Sequence, residues 1–145
     1  MDIKQQEFYK KLRRDVQIWL DKHFDKKSRW SEYILVAPDL FHLICKLSAD
    51  KDVPSKKKIK LLGGIAYFIS PIDLLPEVFL GPVGYLDDIV VAAYVLNELI
   101  NEVDPQIVRK HWAGEQDILD LIKTVLANAD SMIGSKLWNR IKKRF

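Results

Sequence analysis

The sequence predicts an all-α protein: a compact multi-helix bundle around an apolar central helical hairpin. Three observations predict it. Apolar residues recur at three- and four-residue steps rather than alternating. Four prolines, Pro38, Pro54, Pro71 and Pro105, each stand just ahead of a helical pattern, where a missing N–H costs nothing. The Val and Ile cluster at Ile89-Val90-Val91 lies inside an apolar run longer than a typical strand.

Taken in order, residues 3–25 form a long amphipathic helix, with Phe8, Leu12, Val16, Trp19 and Leu20 on one side and Lys and Arg between them. Residues 29–36 add a turn or two. Further helices follow at about 38–48, 54–69, 71–76, 84–102, 105–112, 115–130 and 135–144. Ser70 and Asp104 cap two of them ahead of a proline. The helix from Gly84 to Asn101 is apolar almost all round, so it is either the buried centre of a bundle or a membrane element. Asp87 and Asp88 interrupt it short of the ~20 apolar residues that a span requires. With the run Leu61 to Ile69 it makes the buried hairpin. Gly63 and Gly64 in that run cost ~1 kcal/mol each in helix propensity, which close approach of a neighbour would offset.

The composition, 48% hydrophobic and 30% charged with four Trp, is that of a globular chain rather than a disordered one. At 145 residues a single domain is expected over 1–145: a core at 33–98, an N-terminal amphipathic helix at 1–30 and C-terminal helices at 104–145. The sole cysteine, Cys45, lies in an apolar stretch and reads as a buried, reduced thiol. The first residues lack the apolar core of a signal peptide, so a cytoplasmic location is expected. A net charge of +3 is too mild to imply a nucleic-acid partner.

The least ordinary stretch is Ser70-Pro71-Ile72-Asp73-Leu74-Leu75-Pro76-Glu77, followed by Gly81-Pro82-Val83-Gly84-Tyr85-Leu86-Asp87-Asp88. With Pro38-Asp39-Leu40, the turn from Asp50 to Pro54, and Ala66-Tyr67, these motifs resemble the YkvA-like family, a bacterial domain of unknown function, from Tyr33 to about Glu98. Glu77 stands where the family pattern has Asp. The resemblance implies a small helical domain, with no agreed activity or catalytic residue, and it includes membrane-associated relatives.

The same residues have an ordinary reading as caps. Ser70-x-x-Asp73 has capping-box spacing, and Asp87 falls in the first turn of its helix, where the dipole favours a carboxylate. This leaves Glu77 and Asp88 without a task. The sharper reading is a hard-cation site built from Asp73, Glu77, Asp87 and Asp88, whose oxygen ligands suit Mg²⁺, Mn²⁺ or Ca²⁺, with a metal-dependent hydrolase as its extension. Lys60, Arg29 or Arg109 could equally pair with these acids.

Other candidates are weaker. Asp39 and His42 share a helical face, for which a surface ion pair is the commoner outcome. His23 and His111 read as helix-end residues. No phosphate loop, nucleophile elbow or metal-binding motif is present, so the chain leans away from an enzyme. The tail is more informative. Leu137, Trp138, Ile141 and Phe145 form one side of a terminal helix, and Lys136, Arg140, Lys142, Lys143 and Arg144 the others. That face either docks on the bundle or meets a membrane, where Trp138, Ile141 and Phe145 with the five cations would make the contact. The partner expected is another protein or an anionic membrane surface.

Overall fold

The computed structural model describes residues 1–22, 31–69 and 86–145, and every regular element among them is helical. The helices are α1 (Ile3–Lys22), α2 (Ser31–Ser48), α3 (Ser55–Ile69), α4 (Leu86–Ile100), α5 (Pro105–His111), α6 (Ile118–Ala127), α7 (Ala129–Ile133) and α8 (Ser135–Arg144). The all-α expectation holds. The helix foreseen at 71–76 lies outside the described residues.

The centre belongs to α4. Eleven of its residues, from Leu86 to Leu99, are buried, and α2, α3, α6 and α7 all pack against it. A helix apolar on nearly every side has no stable place at a surface, so its neighbours enclose it. The two members of the expected central pair, α3 and α4, do pack together, but they are not equivalent. Helix α3 buries only Leu61, Gly64, Ile65, Tyr67 and Phe68, and its other side faces solvent. The second helix of the core is α2, which buries Ile34, Leu40, Phe41, Ile44 and Leu47 among others.

The glycine pair in α3 meets two different neighbours. A Cβ on Gly64 would touch Ile44 of α2 at 3.6 Å, and one on Gly63 would stand 3.3 Å from the Phe145 ring after α8. Close approach is thus observed, from side chains of α2 and of the C-terminus. Helix α1 is fastened by Leu12, Val16 and Phe8, whose ring lies 4.8 Å from Phe41 and 6.5 Å from Phe68. Aromatic pairs at such separations contribute ~0.5–1.5 kcal/mol beyond area burial.

Helix starts follow local chemistry. Asp2 accepts from Gln5 N–H at 2.8 Å while Gln5 Oε1 accepts from Asp2 N–H at 3.3 Å, a reciprocal cap on α1. The Pro54 carbonyl accepts from Lys57 and Lys58 at the start of α3. Asp104 caps α5 ahead of Pro105, as expected, through Gln106 N–H. Two boundaries differ from the sequence reading. Helix α2 begins at Ser31 and runs through Pro38 instead of starting there. The proline removes one hydrogen bond from the helix interior, yet it is buried among apolar neighbours whose packing outweighs that loss. The segment 115–130 is shorter at its start and divided. Asp117 caps α6 by accepting from Leu119 and Asp120, and Asn128 separates α6 from α7.

Because Asp117 satisfies two backbone donors at once, Asp117→Ala should cost about 1 kcal/mol of stability. A lower urea midpoint with an unchanged denaturant slope would be the signature.

Candidate functional site

The acids singled out by the sequence begin α4. Asp87 and Asp88 occupy its first turn, and both are fully buried. The partial positive charge at a helix N-terminus favours carboxylates there. Successive residues point about 100° apart around a helix, so the two acids meet different surroundings. The Tyr67 hydroxyl of α3 donates to Asp87 Oδ2 at 2.9 Å, a buried bond between residues twenty apart in sequence. Asp73 and Glu77, the other two candidate ligands, lie outside the described residues. Among the described residues no group of three or more His, Cys, Asp or Glu side chains is placed to hold a metal ion.

One of the cations considered as partners for these acids is engaged with a different carboxylate. Lys60 pairs with Glu98 of α4, and Lys57 pairs with Glu102. Arg109 is exposed on α5, and Arg29 lies outside the described residues. The Ala66-Tyr67 motif carries no local link to Asp87. The usable signal is that a buried tyrosine hydroxyl needs a hydrogen-bond partner.

A second cluster joins the α2–α3 turn to α5. His111 Nε2 donates to Asp50 Oδ2 at 2.5 Å, and Lys110 lies 3.2 Å from the same oxygen. The Asp52 N–H donates to Asp50 Oδ1 at 2.8 Å. The His111 bond, then the Asp52 N–H, hold the Asp50 carboxyl well below the usual carboxylate range, with Lys110 adding to them against the opposing effect of burial. His111 is therefore more than a helix-end residue. Its acid lies sixty-one positions away, beyond the reach of spacing arguments.

Asp39 and His42 do share a face of α2, half-buried. Burial raises the Asp39 pKa against the pull of His42 and Arg13, and burial with Lys46 lowers that of His42 despite Asp39. The His42 ring lies 5.5 Å from that of Tyr9 in α1. Burial pushes the Cys45 thiol up to about 12, which disfavours the thiolate that a nucleophile needs.

The tail helix α8 docks its apolar face on the bundle. Leu137 and Ile141 are buried, Ile141 to 1% exposure. The Trp138 ring lies 5.7 Å from Tyr94 of α4, and Phe145 lies 6.0 Å from Tyr67. Of the expected membrane-contact residues, Ile141 thus belongs to the core, while Trp138 and Phe145 are partly covered. Lys136, Arg140, Lys142, Lys143 and Arg144 are all exposed, and Lys142 sits 5.0 Å over the Trp138 ring. No described helix is long and apolar enough to cross a membrane.

Comparison with known proteins finds similarity to a family and to a relative without an assigned activity. Residues 57–94 match the model of a family described as protein of unknown function, DUF1232. The match spans α3 from Lys57 onward and the first part of α4 with its two acids, and the resemblance to the YkvA-like family is consistent with it. A curated relative, the uncharacterized protein ORF9 of Methanothermobacter thermautotrophicus, is 23% identical over 110 residues, covering 76% of this chain and 75% of that protein. No solved structure matches the chain.

Two outcomes follow from the buried polar contacts. Tyr67→Phe removes a hydrogen bond to a buried carboxyl and should cost about 1.5–3 kcal/mol, measured by urea unfolding. In a double-mutant cycle with Asp87→Asn the two losses should be less than additive. For Asp50 the folded-state pKa is depressed, so its contribution is present above the unfolded value of ~3.9 and is lost as pH falls below it. Asp50→Asn should flatten that part of the acid limb in a plot of stability against pH.

Proposed function

We propose that the chain is a non-catalytic helical interaction module whose partner is the anionic, cytoplasmic surface of a membrane. One observation carries this reading. Helix α8 buries its apolar face yet turns five cations outward within nine residues, Lys136 to Arg144, with no acid among them. Each Lys or Arg near an anionic lipid surface contributes ~1 kcal/mol, an interaction confined to about a Debye length. Docking of α8 on the bundle also favours surface adsorption over insertion of this helix.

A second reading rests on the pair Asp87 and Asp88. Two fully buried carboxylates at successive positions are unusual. With Asp73 and Glu77 they would suit Mg²⁺, Mn²⁺ or Ca²⁺, and a metal-dependent hydrolase is the activity such a site would serve. An ion bound only by the native state must raise the melting temperature. A shift at millimolar metal, lost in Asp88→Asn, supports this reading, and no shift opposes it.

For the membrane reading the test is flotation with vesicles containing phosphatidylserine at low salt. The native chain should float, and the triple variant Arg140→Gln, Lys143→Gln, Arg144→Gln should partition about 10²-fold more weakly, from ~1 kcal/mol per charge. Equal partitioning to neutral vesicles, or a chain that stays in solution, would overturn the proposal. So would comparable affinity for a short DNA duplex at the same ionic strength.

A further inference from the structure

The solvent side of α3 carries an apolar stripe that the bundle does not use. By the helical repeat, Ile59, Leu62 and Ala66 fall together, opposite Leu61, Gly64 and Phe68. Ile59 is 69% exposed, Leu62 is 51% exposed, and Ala66 is exposed beside them. Single exposed apolar residues are ordinary on a protein surface, but a contiguous patch marks a contact.

The surroundings of the stripe identify that contact. Along one flank runs an open groove of about 370 Å³, lined by Leu62, Ile65, Ala66 and Ile69 and closed opposite by the first turn of α1. Ile3, in that turn, is 76% exposed. Along the other flank the Phe145 ring covers Gly63 and meets Tyr67, which brings the end of α8, with Lys142, Lys143 and Arg144, to the border of the stripe. At its start stand Lys56, Lys57, Lys58 and Lys60, of which Lys57 and Lys60 reach Glu102 and Glu98. Neither α3 nor α8 contains an acidic residue. Protein-binding hot spots are built chiefly on Trp, Tyr and Arg. Aliphatic anchors with a mainly cationic rim, here broken by Asp2 in the groove and by Glu98 and Glu102 beside the lysines, are instead the arrangement by which a helix lies in a lipid interface.

We infer that the α3 stripe is the apolar anchor of the membrane contact. Ile59 and Leu62 enter the boundary between headgroups and acyl chains while the cations at the end of α8 neutralise lipid phosphates and carboxylates. This rests on the membrane reading and extends it from α8 alone to a composite α3/α8 face. It also divides the binding into a salt-sensitive part from α8 and a salt-resistant part from α3.

The test uses the full chain with vesicles of phosphatidylcholine and phosphatidylserine, with and without Ile59→Ser and Leu62→Ser together. Both positions are exposed, so the urea midpoint should stay close to that of the native chain. Partitioning should fall about tenfold or more, the order expected for losing two aliphatic anchors, and the remaining binding should vanish at high salt. A polarity-sensitive dye on Leu62→Cys reports independently, since the buried Cys45 thiol resists labelling. Its emission should shift to the blue on adding anionic vesicles. If the serine variant binds as tightly as the native chain and the dye stays in water, the inference fails while the membrane reading stands. If the native chain does not bind, both fail. A blue shift that rises with protein concentration and needs no vesicles would assign the stripe to a second copy of the chain and overturn the inference.

Discussion

Near-complete enclosure of α4 is the constraint on which the rest of the structure depends. Its apolar residues cover nearly the whole circumference, so only a narrow strip around Asn97 and Glu98 is left to water. Four helices close round it. The first turn of a helix buried in this way is buried too, and with it Asp87 and Asp88. Those acids sit where the helix dipole is most favourable to them, in surroundings of low dielectric where the dipole acts strongly. The Tyr67 hydroxyl then supplies a hydrogen bond that water cannot. The motif residues that draw attention in the sequence are therefore also the residues that let an apolar helix begin inside a protein.

Enclosure also decides what faces outward. The apolar side of α8 is used against α3 and α4, through Phe145 on Tyr67 and Trp138 on Tyr94. What remains on α8 is charge of one sign. Helix α3 stands at the edge of the bundle, so Ile59, Leu62 and Ala66 on its outer side stay exposed. Ordinary solvation explains lysines on such a face but not Ile59 and Leu62. The two surfaces left over by the core, one cationic and one apolar, meet at the C-terminal residue.

Much of this was legible in the sequence because it is local. Periodicity marked α1 and α8, the all-round apolar run marked α4, and Asp104-Pro105 marked the start of α5. The reciprocal cap of Asp2 and Gln5 is equally local. The failures are cases where tertiary packing overrode a local rule or supplied a distant partner. Pro38 continues a helix because the bundle surrounds it. Asn128 divides a periodic segment whose pattern runs on unbroken. His111 finds Asp50, and Tyr67 finds Asp87, across separations that only the folded chain closes. For the candidate site, two of the four acids were placed correctly in the first turn of a buried helix, and Asp73 and Glu77 lie outside the described residues.

The central claim is that the enclosing of α4 leaves the α3/α8 face as the working surface of the molecule. Amide hydrogen exchange of the full chain, with and without anionic vesicles, tests it most directly. In the free chain the amides of α4 should exchange most slowly, and those of α8 should be protected by docking. Vesicles should then slow exchange in α3 around Ile59 to Ala66 and in α8, and leave α4 unchanged. An α8 that exchanges like an isolated helix, or vesicle protection confined to any other element, would contradict it.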